Sequence, residues 1–323
     1  MKGRIENELK EMKRMNEKLD NYPTYLREFY DSLDEKSYTT KRCYIDYVLD
    51  MLDGTTGKDN PDIEEVKRIN TGELQRYMNS LKYMENGEKV GASIRAARWT
   101  AINSFFKFLV GYRYIGENPF GEYVQRPVIK NTKPVVYLDE KEIETLLQNV
   151  EEMGSGVFKI RDRAIIRLFI TTGLRETALT EINIEDINFD EGSIWTTNKG
   201  EKSWKVYPGY RTMRAIEEWI DNRESLFRDG DEQTDALFIS SYRTRITAAG
   251  IRKLVAKYTK DFDKHISPHK LRSTCATNMY KQTQDIMLVA ETLGHSDVKV
   301  TKRYTTVEES TRKKAGEVMN SLV

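Results

Sequence analysis

Six side chains in the second half of this 323-residue chain are of the types that a metal-free phosphoryl transfer needs: Arg175, Lys199, His269, Arg272, His295 and Tyr304. Two guanidinium forks can hold both non-bridging oxygens of a phosphodiester and stabilise the extra charge of a pentacoordinate transition state. A lysine can protonate a leaving oxygen. Histidines can donate to the phosphate or carry the proton of a phenol, whose reference pKa of about 10 makes it a poor nucleophile at neutral pH without help. His269 opens HKLR, which puts Arg272 three residues on along one helical face, and His295 sits in the turn-like LGHSD. Arg175 follows the turn that ends an apolar helix in TTGLRETAL, while Lys199 occupies a tight turn that Gly200 lets close. Each of these alone has an ordinary explanation, an ion pair or a solvated turn, and Tyr304 is one of 18 tyrosines. No Asp/Glu cluster points to two-metal hydrolysis. Cys43 and Cys275 offer neither a metal-ligand spacing nor a disulfide framework, so both are expected as reduced core thiols and no metal or cofactor is expected.

The elements that must position these groups are mostly helical. Residues 3–20 carry helical spacing, and a series of short amphipathic helices then runs from Thr24 to about Tyr123: Leu26–Asp31, Tyr38–Leu52, a turn-rich break from Gly54 to Pro61, Thr71–Met84 and Ser93–Val110. The last has an apolar stripe of Ile94, Ala97, Ile102, Phe105, Phe106 and Leu109, with Gly111 as its stop. RPVIKNTKP, from Arg126 to Pro134, reads as an extended linker. Beyond it a helix capped by Asp139 runs through Leu147, and a buried helix from Arg161 to Thr172 ends at Gly173. Ser193–Thr197 and Trp204–Tyr207 then flank the turn NKGEKS as a β-hairpin, and mainly helical segments follow from Arg211 to Val323. The expected division is an extension over 1–22, a first domain over 23–125, a linker over 126–136 and a second domain over 137–323.

Composition sets the limits. Hydrophobic residues make up 38% and charged residues 32%, as in a soluble helical protein, and no apolar run approaches the roughly 20 residues needed to span a bilayer. The charged N-terminus does not read as a secretory signal, so the expected location is cytoplasmic, with no membrane partner. A formal charge of +1, from 52 basic and 51 acidic residues, does not advertise a nucleic-acid partner unless the basic residues gather on one face.

The order and spacing of the motifs resemble the tyrosine recombinases and integrases, in their two-domain Xer-like form. The resemblance runs through TGLR at 172–175, NKG at 198–200, HKLR at 269–272, LGH at 293–295 and Tyr304, with Lys199 24 positions after Arg175 and Tyr304 nine after His295. It implies a mainly α fold with a small β-hairpin or sheet: a SAM-like helical core-binding domain followed by an α+β catalytic domain. It implies that Arg175 and Arg272 clamp the phosphate, Lys199 is the general acid, His269 and His295 are supporting donors, and Tyr304 is the nucleophile. RAARWTAINSFFKFLVGYRYIGENPF, from Arg95 to Phe120, resembles the end of the core-binding domain, and Arg95, Arg98, Lys107, Arg126, Lys130 and Lys133 are its candidate phosphate contacts.

The implied partners are double-stranded DNA and three further copies in a tetramer that passes through a Holliday junction, with accessory DNA-bending or directionality factors. VEESTRKKAGEVMNSLV reads as an amphipathic helix that in this family docks on the adjacent protomer, with packing in cis as the alternative. Residues 3–20 are read as a helix that packs on a neighbour or on DNA, or as a solvated terminal helix. The resemblance leaves open chromosome-dimer resolution or integration of a bacterial or phage-borne mobile element, on nucleoid DNA. Two positions depart from the pattern: Ala178 stands where a carboxylate is usual three residues after the first arginine, with Glu176 and Glu181 nearby, and Ser273 follows the second arginine where histidine is common. A type IB topoisomerase-like relaxing enzyme and a non-catalytic DNA-binding regulator are the alternative readings.

Overall fold

The computed structural model describes residues 12–84, 86–129, 134–197, 203–228, 234–294 and 301. Its contacts divide the chain into two compact units, Met1–Thr132 and Lys133–Val323. The whole is mainly α with one small antiparallel sheet. Among the described residues, no helix is long and apolar enough to cross a membrane.

The first unit is helical: α1 (12–19), α2 (Thr24–Asp31), α3 (Tyr38–Thr56), α4 (Ile63–Lys67), α5 (Thr71–Ser80) and α6 (Ala92–Gly111). Its core is aromatic, with Phe29 and Phe105 edge-to-face at 5.2 Å and Phe105 against Phe106 at 5.4 Å. Met15 and Leu19 are buried in this core, so α1 packs within its own unit rather than lying solvated. Asp62 and Asn70 each close a reciprocal capping box, which starts α4 and α5.

Two expectations about glycine fail here for reasons of packing. Helix α3 does not break at Gly54 but runs to Thr56, where Gly57 (φ 69°) makes the left-handed stop. Gly54 instead lets the Tyr77 ring approach, because a Cβ there would lie 2.9 Å from Tyr77 Cδ2. Gly111 is still helical, and the left-handed residue is Arg113 at φ 61°. The α6 stripe is also rephased at its start: Ala96 is buried whereas Ile94 and Ala97 are exposed. Helix α5 ends four residues before the expected Met84, which is exposed along with Tyr83.

The second unit contains α7 (Glu140–Met153), α8 (Gly156–Thr172), α9 (Glu176–Glu181), β1 (Ile187–Asn188), β2 (Ser193–Thr197), β3 (Ser203–Val206), α10 (Tyr210–Arg223), α11 (Ala248–Tyr258), α12 (Pro268–Thr283) and α13 (Ile286–Thr292). The sheet order is β1-β2-β3, with Trp195 opposite Lys205 and Ile194 opposite Val206. The two-residue β1 is too short to leave a periodic signal. Helix α8 runs through the core and buries Ala164, Ile165, Ile166, Leu168 and Phe169. It starts at Gly156, one and a half turns before the expected Arg161. Asp162, also buried, accepts from the Tyr258 hydroxyl at 2.7 Å, and burial together with that carboxylate pushes the phenol pKa well up. Trp219 is fully buried and donates to Leu237 O at 2.7 Å.

Asp139 caps α7 as the sequence predicts, accepting from Glu142 N at 2.9 Å while Glu142 accepts from Asp139 N at 2.8 Å. Asp139→Ala is therefore expected to lower unfolding free energy by about 1 kcal/mol, read from urea denaturation. An unchanged midpoint would mean that the cap adds nothing to α7.

Candidate active site

Arg272 organises the candidate site. It lies one turn into α12, which Pro268 opens at a position where the missing N–H costs nothing. The residue is 3% exposed, yet a guanidinium cannot be neutralised and must find partners. Nη1 donates to Gly173 O at 2.5 Å and Nη2 to Leu293 O at 2.8 Å. Both acceptors cap helix C-termini, those of α8 and α13, where carbonyls lack intrahelical partners and the helix dipole is negative. One side chain thus joins the TGLR, HKLR and LGH segments.

Gly173 fits this junction in two ways. Its φ of 61° is left-handed, and an added Cβ would lie 2.5 Å from Leu293 Cδ2 and 3.2 Å from Cys275 Cβ. Cys275 fills the remaining space as a fully buried thiol, its pKa pushed up to about 12 by burial, with the Arg272 charge opposing. It is a packing residue.

Arg175 stands two residues beyond Gly173 as the extended N-cap of α9, with its side chain exposed and its carbonyl accepting from Leu179 N at 3.0 Å. His269, in the first turn of α12, is also exposed. The structure therefore brings Arg175, His269 and Arg272 onto neighbouring segments, two side chains at the surface and one beneath. Lys199, His295 and Tyr304 lie outside the described residues, as do Lys130, Lys133 and the C-terminal segment. The described Gly294 directly precedes His295, and β2 ends two residues before Lys199.

The two departures have local explanations. Ser273 is 1% exposed and donates to His269 O at 3.1 Å, so it turns into its own helix. Ala178 is 3% exposed and borders a cavity of about 210 Å³ shared with Glu181 and Thr196, whose buried Oγ1 has no hydrogen-bond partner among the described residues. Glu176 is held by Arg252 of α11 at 3.1 and 2.6 Å.

In the first unit, Lys107 and Arg126 are exposed, and Arg95 is half-buried with an Nε that has no partner among the described residues. Arg98 is bound internally, to Asp50 and to the Tyr77 hydroxyl at 3.2 Å, and its guanidinium lies 5.1 Å over Tyr47. A phosphate would have to compete for it. The sequence reading missed the outer face of α11. Ile251, Leu254, Val255 and Tyr258 are buried there, leaving Arg252, Lys253 and Lys257 exposed, with Lys260 just beyond. A tight turn before it exposes Tyr242 and places Arg243 at φ 62°, and Arg245 anchors that turn to Thr180 O at 2.8 Å and Asn183 Oδ1 at 2.5 Å. The amphipathic spacing of IRKLVAKY was a readable signal.

Both the sequence and the fold are similar to those of known proteins. The family described as phage integrase matches residues 136–311, more than half of the chain. The tyrosine recombinase XerC of Pelobacter propionicus is 33% identical over 237 residues, covering 72% of this chain and 74% of that protein. The XerC of Caldanaerobacter subterraneus subsp. tengcongensis is 33% identical over 261 residues, 79% of this chain and 69% of that one. The fold is similar to that of the XerH site-specific recombinase bound to palindromic difH substrate in a post-cleavage complex, with TM-score 0.70 and 19% identity over 91% of this chain and 84% of that one. It is also similar to the Tn1549 transposon integrase in complex with circular intermediate DNA, with TM-score 0.66 and 18% identity over 90% and 98% of the two chains.

Proposed function

We propose, from the premise that the chain belongs to the phage integrase family, that Tyr304 is the nucleophile of a site-specific DNA strand exchange for which Arg272 and Arg175 hold the phosphate. The enzyme is a tyrosine recombinase. The observation that carries the residue assignment is the Arg272 guanidinium, which ties the loop leading to Arg175 to the segment that continues into His295. In the proposed reaction the Tyr304 oxygen attacks the phosphorus, the bond to the 5′ oxygen breaks, and Lys199 gives that oxygen a proton. A 3′-phosphotyrosyl bond remains. The 5′ hydroxyl of another strand then displaces the tyrosine, so the phosphodiester count is conserved and no ATP is consumed. His269 and His295 donate to the phosphate or move the tyrosine proton. The arginines offset charge that develops in the transition state.

Double-stranded DNA is the substrate, and the basic outer face of α11 joins Arg95, Lys107 and Arg126 as surfaces able to meet its phosphates. On this reading four copies act together through a Holliday junction, in the bacterial cytoplasm on nucleoid DNA, with accessory factors setting direction. Chromosome resolution and mobile-element integration both remain open as its use.

The test is covalent trapping. Incubated with a nicked cognate site, the wild-type protein is expected to form an adduct resistant to denaturation, and Tyr304→Phe to form none. An undiminished adduct with that variant would assign the nucleophile elsewhere. Relaxation of plasmid lacking any site, by a monomer, would favour the topoisomerase-like alternative.

A further inference from the structure

Four arginines that the proposed chemistry does not use converge on a second place in the catalytic unit. Arg163 and Arg167 of α8 and Arg211 and Arg214 of α10 line a concave pocket of about 450 Å³, with the exposed Tyr210 also at its lining. Spacing explains the convergence, since Arg163 and Arg167 are one turn apart on α8, as are Arg211 and Arg214 on α10.

The charges are unevenly matched. Arg163 donates to Glu151 at 3.1 Å and to Glu218 at 2.6 Å, and Arg214 donates to Glu217 at 2.6 Å. Arg167 and Arg211 have no ion pair among the described residues. The remaining acid of the lining, Asp221, lies ten residues from Arg211 along α10, about 15 Å of helix rise. Arg167 is only part-exposed, and its pKa is held down by burial first and then by the Arg163 and Arg211 charges, with Glu151 opposing. A half-buried cation between two others is an unfavourable arrangement until an anion supplies the missing charge. Guanidinium forks match carboxylate and phosphate oxyanions bidentately, and even a backbone phosphodiester presents two non-bridging oxygens to them.

We propose that this pocket is a second anion site, which takes a phosphate group separately from the Arg175 and Arg272 pair. Arg167 and Arg211 supply two unmatched charges for it, and Arg163 and Arg214 shape its walls from within their ion pairs. Two sources share this chemistry: a backbone phosphate of DNA or a free phosphate. The DNA source rests on the recombinase reading and the free source does not.

Thermal unfolding of the full chain in inorganic phosphate, against chloride at equal ionic strength, tests the site. Wild type is expected to gain stability with phosphate. Arg167→Gln/Arg211→Gln should lose that gain while melting no lower than wild type in chloride, because the repulsion is gone. Arg211→Gln alone, at an exposed position, should keep part of the gain. The proposal is overturned by a wild type indifferent to phosphate, or by a gain that persists in the double variant. The salt dependence of binding to a duplex of about 60 base pairs then assigns the source: a log–log slope shallower by about 0.9 per lost phosphate contact in the double variant identifies DNA, and an unchanged slope identifies free phosphate.

Discussion

Arg272→Ala is expected to abolish strand cleavage and to destabilise the catalytic unit at the same time, a combination that separates this arginine from Arg175. The buried guanidinium satisfies Gly173 O and Leu293 O. Deleting it strands two helix-end carbonyls in the core, at about 1–3 kcal/mol each, and leaves a void beside Cys275. Loss of transition-state donors adds a fall in cleavage rate of roughly 10²- to 10³-fold per donor. Arg272→Lys should recover little, since an ammonium lacks the planar fork that spans both carbonyls. Arg175→Ala should lose a comparable rate with nearly unchanged stability, because that side chain is exposed. Urea denaturation and single-turnover adduct formation read the two effects separately. An Arg272→Ala protein as stable as wild type would contradict the bridging role.

Gly173→Ala is expected to be strongly destabilising. The left-handed φ of 61° costs an alanine about 1 kcal/mol. The new Cβ would also press on Leu293 at 2.5 Å and Cys275 at 3.2 Å in a packed core, and overpacking adds about 1–3 kcal/mol. The carbonyl of the same residue accepts from Arg272, so displacement of this turn should move the arginine and lower cleavage as well. Leu293→Ala destabilises by removing a buried side chain, but it makes room for the methyl. Combining the two should therefore cost less than the sum, with a coupling of about 1 kcal/mol or more in a double-mutant cycle. Strict additivity would show that the strain is backbone alone.

The parts of this molecule that were legible in the sequence are those fixed locally. Asp139 with Glu142, Gly173 after an apolar helix, and Ser193–Thr197 as a strand are written within a few residues of themselves. The motifs around Arg175 and Arg272 read as a set because the proposed phosphoryl transfer would use those residue types. What escaped depends on distant partners. Gly54 reads as a breaker until Tyr77 is laid against it, and Arg98 reads as a phosphate contact until Asp50 and Tyr77 claim it. Ala178 looked like a missing brace, and only the fold shows a buried position beside a cavity and a neighbouring Glu176 held by Arg252. The pairing of α8 with α10 that gathers four arginines is invisible to any window shorter than the 44 positions that separate Arg167 from Arg211.

The Arg272 bridge also bears on when the protein becomes dangerous to DNA. Its two acceptors lie 99 residues before it and 21 after it in the chain. During synthesis the arginine and the loop leading to Arg175 leave the ribosome before Leu293 does, and the second carbonyl is not there to meet them. Translation must pass Leu293 before the guanidinium has both anchors, so a nascent chain or a fragment truncated before that point carries the proposed phosphate clamp without its second anchor. On the proposed assignment, competence to cut waits until Leu293 has been made and folded against Arg272.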